Sequence, residues 1–184
     1  VKQLNNELLD LLRNGGNILY ARYAHADVGD DLPSLDFNNC FTQRNLSQEG
    51  RRQAIKYGES LRELNIPVSF PVLASPFCRT VETALLAFGW PNVQTDPFWH
   101  EIYRLDKNLP EEERQSILEA FNFKMEKQPP QGSNYLIIAH SFPEGIGLGP
   151  IEYMETVIVK PLGEGSGYRV VAKLPLEELM NSRE

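Results

Sequence analysis

With 184 residues, 41% of them hydrophobic and 23% charged, the chain is long enough to bury a full core and reads as one domain over residues 1–184. Its 18 basic residues face 25 acidic ones, and the net charge of −7 excludes general attraction to nucleic acid or to an anionic membrane, so neither is an expected partner. Two cysteines, Cys40 and Cys78, are too few for a disulfide framework and lack metal-ligand spacing; a reducing cytoplasm, a packed Cys78 thiol and a site without metal or cofactor are expected.

The first residues, with Lys2, Asn5, Asn6, Glu7 and Asp10 among leucines, predict an amphipathic helix rather than a signal peptide. Leu4, Leu8, Leu11 and Leu12 form its stripe, and Gly15-Gly16 ends it. Ile18-Leu19-Tyr20-Ala21 predicts a short buried strand. Residues 28–44 hold glycine, proline, aspartate and asparagine with no period, which predicts a long loop of functional interest. Ser47 caps a predicted helix through about Asn65, with Ala54, Tyr57, Leu61 and Leu64 turned inward.

Val72-Leu73-Ala74 predicts a second strand, residues 80–88 a helix closed by Gly89, and Val93 a brief extended piece followed by an irregular stretch to Asn108. Pro110 at the first helical position opens a helix from Glu111 to Phe123, whose three leading glutamates suit the positive end of the helix dipole. Tyr135-Leu136-Ile137-Ile138-Ala139 is the most strand-like run, apolar on both faces as in a covered sheet. Thr156–Val159 and Tyr168–Ala172 predict an antiparallel edge hairpin. That hairpin and the tail 174–180 offer contact surfaces, but no oligomeric state is readable. Strands alternating with helices predict a three-layer α/β/α sandwich with a mostly parallel central sheet.

Three segments then stand at the C-terminal ends of predicted strands, where sites form in open α/β sheets: Arg22-Tyr23-Ala24-His25, Ser75-Pro76-Phe77-Cys78-Arg79-Thr80 and Ala139-His140-Ser141. Singly, each has a plain structural reading. Arg22 suits an ion pair, Arg79 a bridge to Glu82 on its own helix, and His140 a satisfied buried histidine. Together, two arginines and a histidine are what a phosphate monoester needs, since a planar guanidinium takes two oxygens of the dianion and a helix N-terminus adds positive charge.

The order of these segments resembles the histidine phosphatase superfamily (phosphoglycerate mutase-like). VLASPFCRTVETALLAFG, residues 72–89, is similar to the segment carrying that family's second phosphate-binding arginine, here Arg79. Asn45-Leu46-Ser47-x-x-Gly50-x-x-Gln53-Ala54 resembles its helix start, and Leu136–Ser141 the late strand ending in its second catalytic histidine, here His140. The resemblance implies a metal-independent mechanism. A first histidine attacks phosphorus, Arg22, Arg79 and His140 hold the oxygens, and a carboxylic acid, for which Glu101 is the candidate, protonates the leaving group. His100 beside it reads as a surface or rim residue. One departure is the Gly/Pro-rich stretch 142–150, which predicts a loop where the family often continues in a helix.

The other departure is chemical. Tyr23 fills the slot in which the resemblance expects the nucleophilic histidine, and a histidine follows only at His25. A phenol with a reference pKa of about 10, against about 6.5 for imidazole, is ionised in roughly one molecule per thousand at neutral pH. Two residues of extended chain span about 7 Å at most, so His25 is displaced from the point of attack, where about 1 Å can cost about 100-fold. Two readings follow. In the first, the protein binds a small phosphorylated ligand or phosphate with covalent turnover lost or reduced. In the second, it is an active phosphomonoester hydrolase using His25 or His140. A mutase is disfavoured, because the chain lacks obvious material for a closing lid.

Overall fold

The computed structural model describes residues 3–182; residues 1–2 and 183–184, Lys2 among them, lie outside it. Six strands form one sheet: β1 (Ile18–Arg22), β2 (Val72–Ala74), β3 (Val93–Thr95), β4 (Tyr135–Ala139), β5 (Thr156–Pro161) and β6 (Tyr168–Leu174). Their order is β3-β2-β4-β1-β5-β6. β3, β2, β4 and β1 run parallel, β5 runs antiparallel to β1, and β6 antiparallel to β5. The predicted hairpin therefore forms, but only β6 lies at the sheet edge. β5 is interior because its apolar run can be covered on both faces.

Helices lie on both faces: α1 (Asn6–Asn14), α2 (Gln48–Glu63), α3 (Cys78–Phe88), α4 (His100–Arg104), α5 (Glu111–Met125) and α6 (Leu176–Asn181). Period-two alternation along β1 divides the core. Leu19 and Ala21 pack with Leu12 of α1, Tyr57 and Leu61 of α2, Ala84 of α3 and Leu179 of α6. Ile18 and Tyr20 face Ile102 of α4, Ile117 and Phe121 of α5, and Trp99.

Local capping chemistry sets several boundaries. The Asn5 side chain accepts from Leu8 N at 2.8 Å, and Gly15 closes α1 at a φ of +78°. Ser47 Oγ accepts from Gly50 N at 3.0 Å to start α2. Pro110 stands just before α5 rather than as its first residue, and that helix continues to Met125. The stretch after Val93, expected to be irregular, contains a 3₁₀ turn, Pro97–Trp99, and α4. Five residues are too few to show a period, and burial of Trp99, Ile102 and Leu105 holds them. Residues 142–150 form turns, in keeping with their glycines and prolines.

The cysteines differ from expectation. Cys40 and Cys78 form a disulfide, their Cα atoms 5.8 Å apart across a sequence separation of 38. Cys78 is therefore a crosslink and not a packed thiol. The expectation of reducing surroundings rested on free cysteines and loses that support, since disulfides persist where conditions are oxidising. Among the described residues, no helix is long and apolar enough to cross a membrane.

Candidate functional site

The register of β1 on β4 sets Arg22 opposite Ala139, so the next residue of each strand, Tyr23 and His140, emerges at the same end of the sheet. Tyr23 N donates to Ala139 O, and the two rings meet edge to face with centroids 5.7 Å apart. Tyr20, buried on β1, donates its hydroxyl to His140 O at 2.8 Å and accepts from His140 N at 3.2 Å. Both peptide groups that carry His140's position are thereby tied to the neighbouring strand.

The segment after β1 is clamped by the start of α2. His25 N donates to Gln53 Oε1 at 2.9 Å, and Ser47 N donates to His25 O at 3.0 Å. Gly50 passes so close that a Cβ there would run into the His25 carbonyl. The Ser47, Gly50 and Gln53 pattern is thus a docking device for the backbone beside the site. The start of α3 is held similarly: Thr80 Oγ1 donates to Ser75 O at 2.6 Å, and Thr83 Oγ1 accepts from Ala24 N at 3.2 Å.

Arg22, Tyr23, Arg79 and His140 line one cavity of about 330 Å³, together with Asp31, Arg44, Tyr103, Lys107 and Ser141. Four cations face three carboxylates, Asp30, Asp31 and Asp106, on its described wall, a local balance opposite to that of the chain as a whole. Arg44 donates to Tyr23 Oη at 2.7 Å and Arg22 at 3.3 Å, while the Arg79 guanidinium carbon lies 4.9 Å from the Tyr23 ring centre. Burial by itself would push the Tyr23 phenol up, but the charges of Arg22, Arg79 and Arg44 outweigh it and hold the group below the ordinary phenol range. Arg22 also donates to Ile151 O at 3.0 Å and lies over Tyr153.

Arg79 is 2% exposed and gives its two terminal nitrogens to Asp31, at 2.8 and 3.1 Å. Asp31 also accepts from Tyr103 Oη and from Arg44 N. Burial opposes the Asp31 charge, yet the bonds from Arg79 and Arg44 hold its carboxyl below the usual carboxylate range. His140 is buried with Nε2 2.8 Å from Ser75 Oγ. Burial first, then the charges of Arg79, His100 and Arg22, push its imidazole well below the ordinary histidine range. It enters the site as a neutral hydrogen-bonding group.

His25 and Glu101 are not brought into this wall. His25 Nδ1 lies 2.6 Å from Ser47 Oγ, and its ring packs edge-on against Tyr153. Glu101 on α4 receives Arg104 at 2.6 Å, and Arg104 also binds Glu113, so the carboxylate is turned into an ion-pair cluster. The helix places Glu101 on a different face from Tyr103, which does line the cavity. Arg44 and Asp31 are the residues that sequence reasoning missed. Both lie in the 28–44 loop, which has no periodicity, and only the charge of Arg44 just before the Asn45-Leu46-Ser47 motif hinted at it. Among the described residues, no group of three or more His, Cys, Asp or Glu side chains stands close enough together to hold a metal.

In fold, the chain is similar to several solved phosphatases. A putative α-ribazole-5′-phosphate phosphatase from Escherichia coli superposes with a TM-score of 0.60 at 12% identity, covering 88% of this chain and 98% of that one. A mutant phosphoserine phosphatase from Entamoeba histolytica, in complex with phosphoserine, gives 0.54 at 10% identity over 89% and 98%. The protein histidine phosphatase SixA, complexed with tungstate, gives 0.52 at 15% identity over 89% and 99%. At these identities the likeness shows the fold. No protein of curated function matches the chain in sequence. The sequence profile of the histidine phosphatase superfamily (branch 1) matches residues 42–140, a span that holds Arg44, Arg79 and His140 and begins after Tyr23. That match covers more than half of the chain, and the chain belongs to the histidine phosphatase superfamily, branch 1.

Proposed function

We propose that this protein binds small phosphate monoesters in the cavity at the ends of β1 and β4, and that its covalent turnover is impaired because Tyr23 stands where the family resemblance puts the nucleophilic histidine. The observation that carries this reading is the convergence of Arg22, Arg44 and Arg79 around one phenol, in a cavity that the neutral His140 also lines. Guanidinium forks recognise phosphate oxygens in pairs, and a partly enclosed wall strengthens each contact. A ligand takes Arg79 by displacing Asp31, whose carboxylate already occupies the geometry a phosphate would use. The alternative, an active hydrolase built on His25 or His140, is opposed by the engagement of His25 with Ser47 and Tyr153 and by the bond of His140 to Ser75.

The test is calorimetric titration with inorganic phosphate, beside steady-state hydrolysis of p-nitrophenyl phosphate. Wild type is expected to bind phosphate, Arg79→Ala to bind it at least about tenfold more weakly, and wild-type steady-state hydrolysis to stay at background while Tyr23→His gains it. Strong wild-type hydrolysis abolished by His25→Ala would replace this reading with the alternative.

A further inference from the structure

The Tyr23 phenol is surrounded as an anion would be. Two guanidinium groups are hydrogen-bonded to its oxygen, at 2.7 and 3.3 Å, and a third lies against its ring. Three positive charges favour the phenolate, and a phenolate is an oxygen nucleophile where a neutral phenol is not. The same groups can hold the oxygens of a phosphoryl group beside it. We propose that Tyr23 is a phosphorylation site: its oxygen accepts one phosphoryl group from an acyl phosphate or activated aryl phosphate bound in the cavity. This rests on the phosphate-binding reading above and adds a covalent step to it.

The donor class follows from what the wall lacks. Asp31 accepts from Tyr103 Oη and Arg44 N, bonds that do not depend on Arg79 and keep it a carboxylate when a ligand takes that fork, so it has no proton to give a departing alkoxide. Glu101 is engaged with Arg104. His140 is neutral, its Nε2 beside Ser75. Tyr103 and Lys107 on the wall hold their protons more tightly than usual, Tyr103 through burial and the Asp31 charge and Lys107 because its burial is outweighed by Asp106 and Tyr103. A reacting donor must therefore carry a leaving group that departs as a stable anion, the carboxylate of an acyl phosphate or a weakly basic phenolate. Alkyl phosphates such as sugar or serine phosphates bind and do not react.

In the step itself, the Tyr23 oxygen forms the new bond to phosphorus, and the bond from phosphorus to the leaving oxygen breaks, its electron pair departing with the leaving group. The phenol proton passes to water, and nothing is oxidised or reduced. The product is an aryl phosphate dianion neutralised by Arg22, Arg44 and Arg79. Its P–O bond resists water far better than the P–N bond of a phosphohistidine, so the group stays and the reaction stops after one equivalent.

The experiment is tandem mass spectrometry of the wild-type chain after incubation with acetyl phosphate, run beside the titration with inorganic phosphate. The expected result is one phosphoryl group per chain, mapped to Tyr23, surviving the acid treatment that strips phosphohistidine and absent from Tyr23→Phe. Arg44→Ala is expected to slow the modification about 100-fold, the scale for removing one preorganised charge-stabilising donor. Mapping on the wild type needs no variant to fold. An unmodified Tyr23 in a chain that binds inorganic phosphate overturns this inference and leaves the binding reading standing. A phosphoryl group on His25 or His140 also overturns it. A chain that does not bind inorganic phosphate overturns the binding reading and this inference with it.

Discussion

Asp31 grips Arg79 through both carboxylate oxygens, inside the cavity whose other cations are Arg22, Arg44 and Lys107. The pair is nearly dry, with the Arg79 side chain 3% and the Asp31 side chain 11% exposed. A loop residue thus supplies the charge that the α3 arginine needs when no ligand is present, and in the proposed function the two compete for the same fork.

Replacing Asp31 by Asn keeps the shape and removes the competing charge. Phosphate affinity is expected to rise about tenfold, equivalent to about 1.4 kcal/mol, while the ligand-free protein loses stability because Arg79 is left without its counter-charge. Thermal unfolding with and without inorganic phosphate reads both effects. Unchanged affinity in a folded variant would show that Asp31 does not compete.

The disulfide ties that loop to the first residue of α3, just before Arg79, with Gln43 Oε1 accepting from Cys78 N at 2.8 Å beside it. Chain entropy for a crosslink of this span predicts a loss of about 4 kcal/mol when it is removed. Urea unfolding of the Cys40→Ser, Cys78→Ser double variant against the oxidised wild type measures this. Phosphate affinity should fall as well, because Arg44 loses its tether. Identical midpoints would mean that the bridge contributes nothing to the folded chain.

Acid should weaken the fold in a way traceable to His140. Its imidazole resists protonation in the folded state because of burial and the charges of Arg79, His100 and Arg22, whereas the unfolded chain takes up that proton near pH 6.5. Below that pH the unfolded state binds more protons, so stability is present above it and is lost as pH falls. The limit is about 1.4 kcal/mol per pH unit for one group. Urea unfolding at pH 7 and pH 5 should show the loss, and His140→Gln should flatten it. Asp31, also lowered, adds a loss of the same sign at more acid pH.

Tyr20→Phe removes a single oxygen from a residue outside the cavity wall, yet that oxygen serves both His140 O and His140 N. Two buried peptide groups lose their partner, at a cost of about 2 kcal/mol. Phosphate binding should weaken as the end of β4 loosens. Chemical denaturation and calorimetry on the same variant separate the two effects, and a variant as stable as wild type would show that other groups satisfy His140.

Most of the strand and helix pattern was legible because its causes are local. The Ser47 cap, the Gly89 stop and the apolar run of β4 act within a few residues, and all three took their expected places. The alignment of Arg22, Arg79 and His140 at one sheet end also followed, because strand ends in a parallel sheet gather at one edge. Glu101 stands away from the cavity wall for a reason of the opposite kind. Its direction depends on the turn of a five-residue helix and on Arg104 and Glu113, which no local pattern specifies.

By itself, then, the sequence determined the α/β architecture, the family and the positions of two arginines and a histidine at the strand ends, since periodicity, capping and motif order are properties of neighbouring residues. Only the tertiary structure decided that Arg44 completes the cationic wall, that Asp31 fills the Arg79 fork, that Cys40 and Cys78 are joined, and that His25 points at Ser47. Each of these is a contact between segments far apart in the chain, and the loop that makes three of them carries only one short 3₁₀ turn, Cys40–Thr42, too local to announce where the loop would fold back.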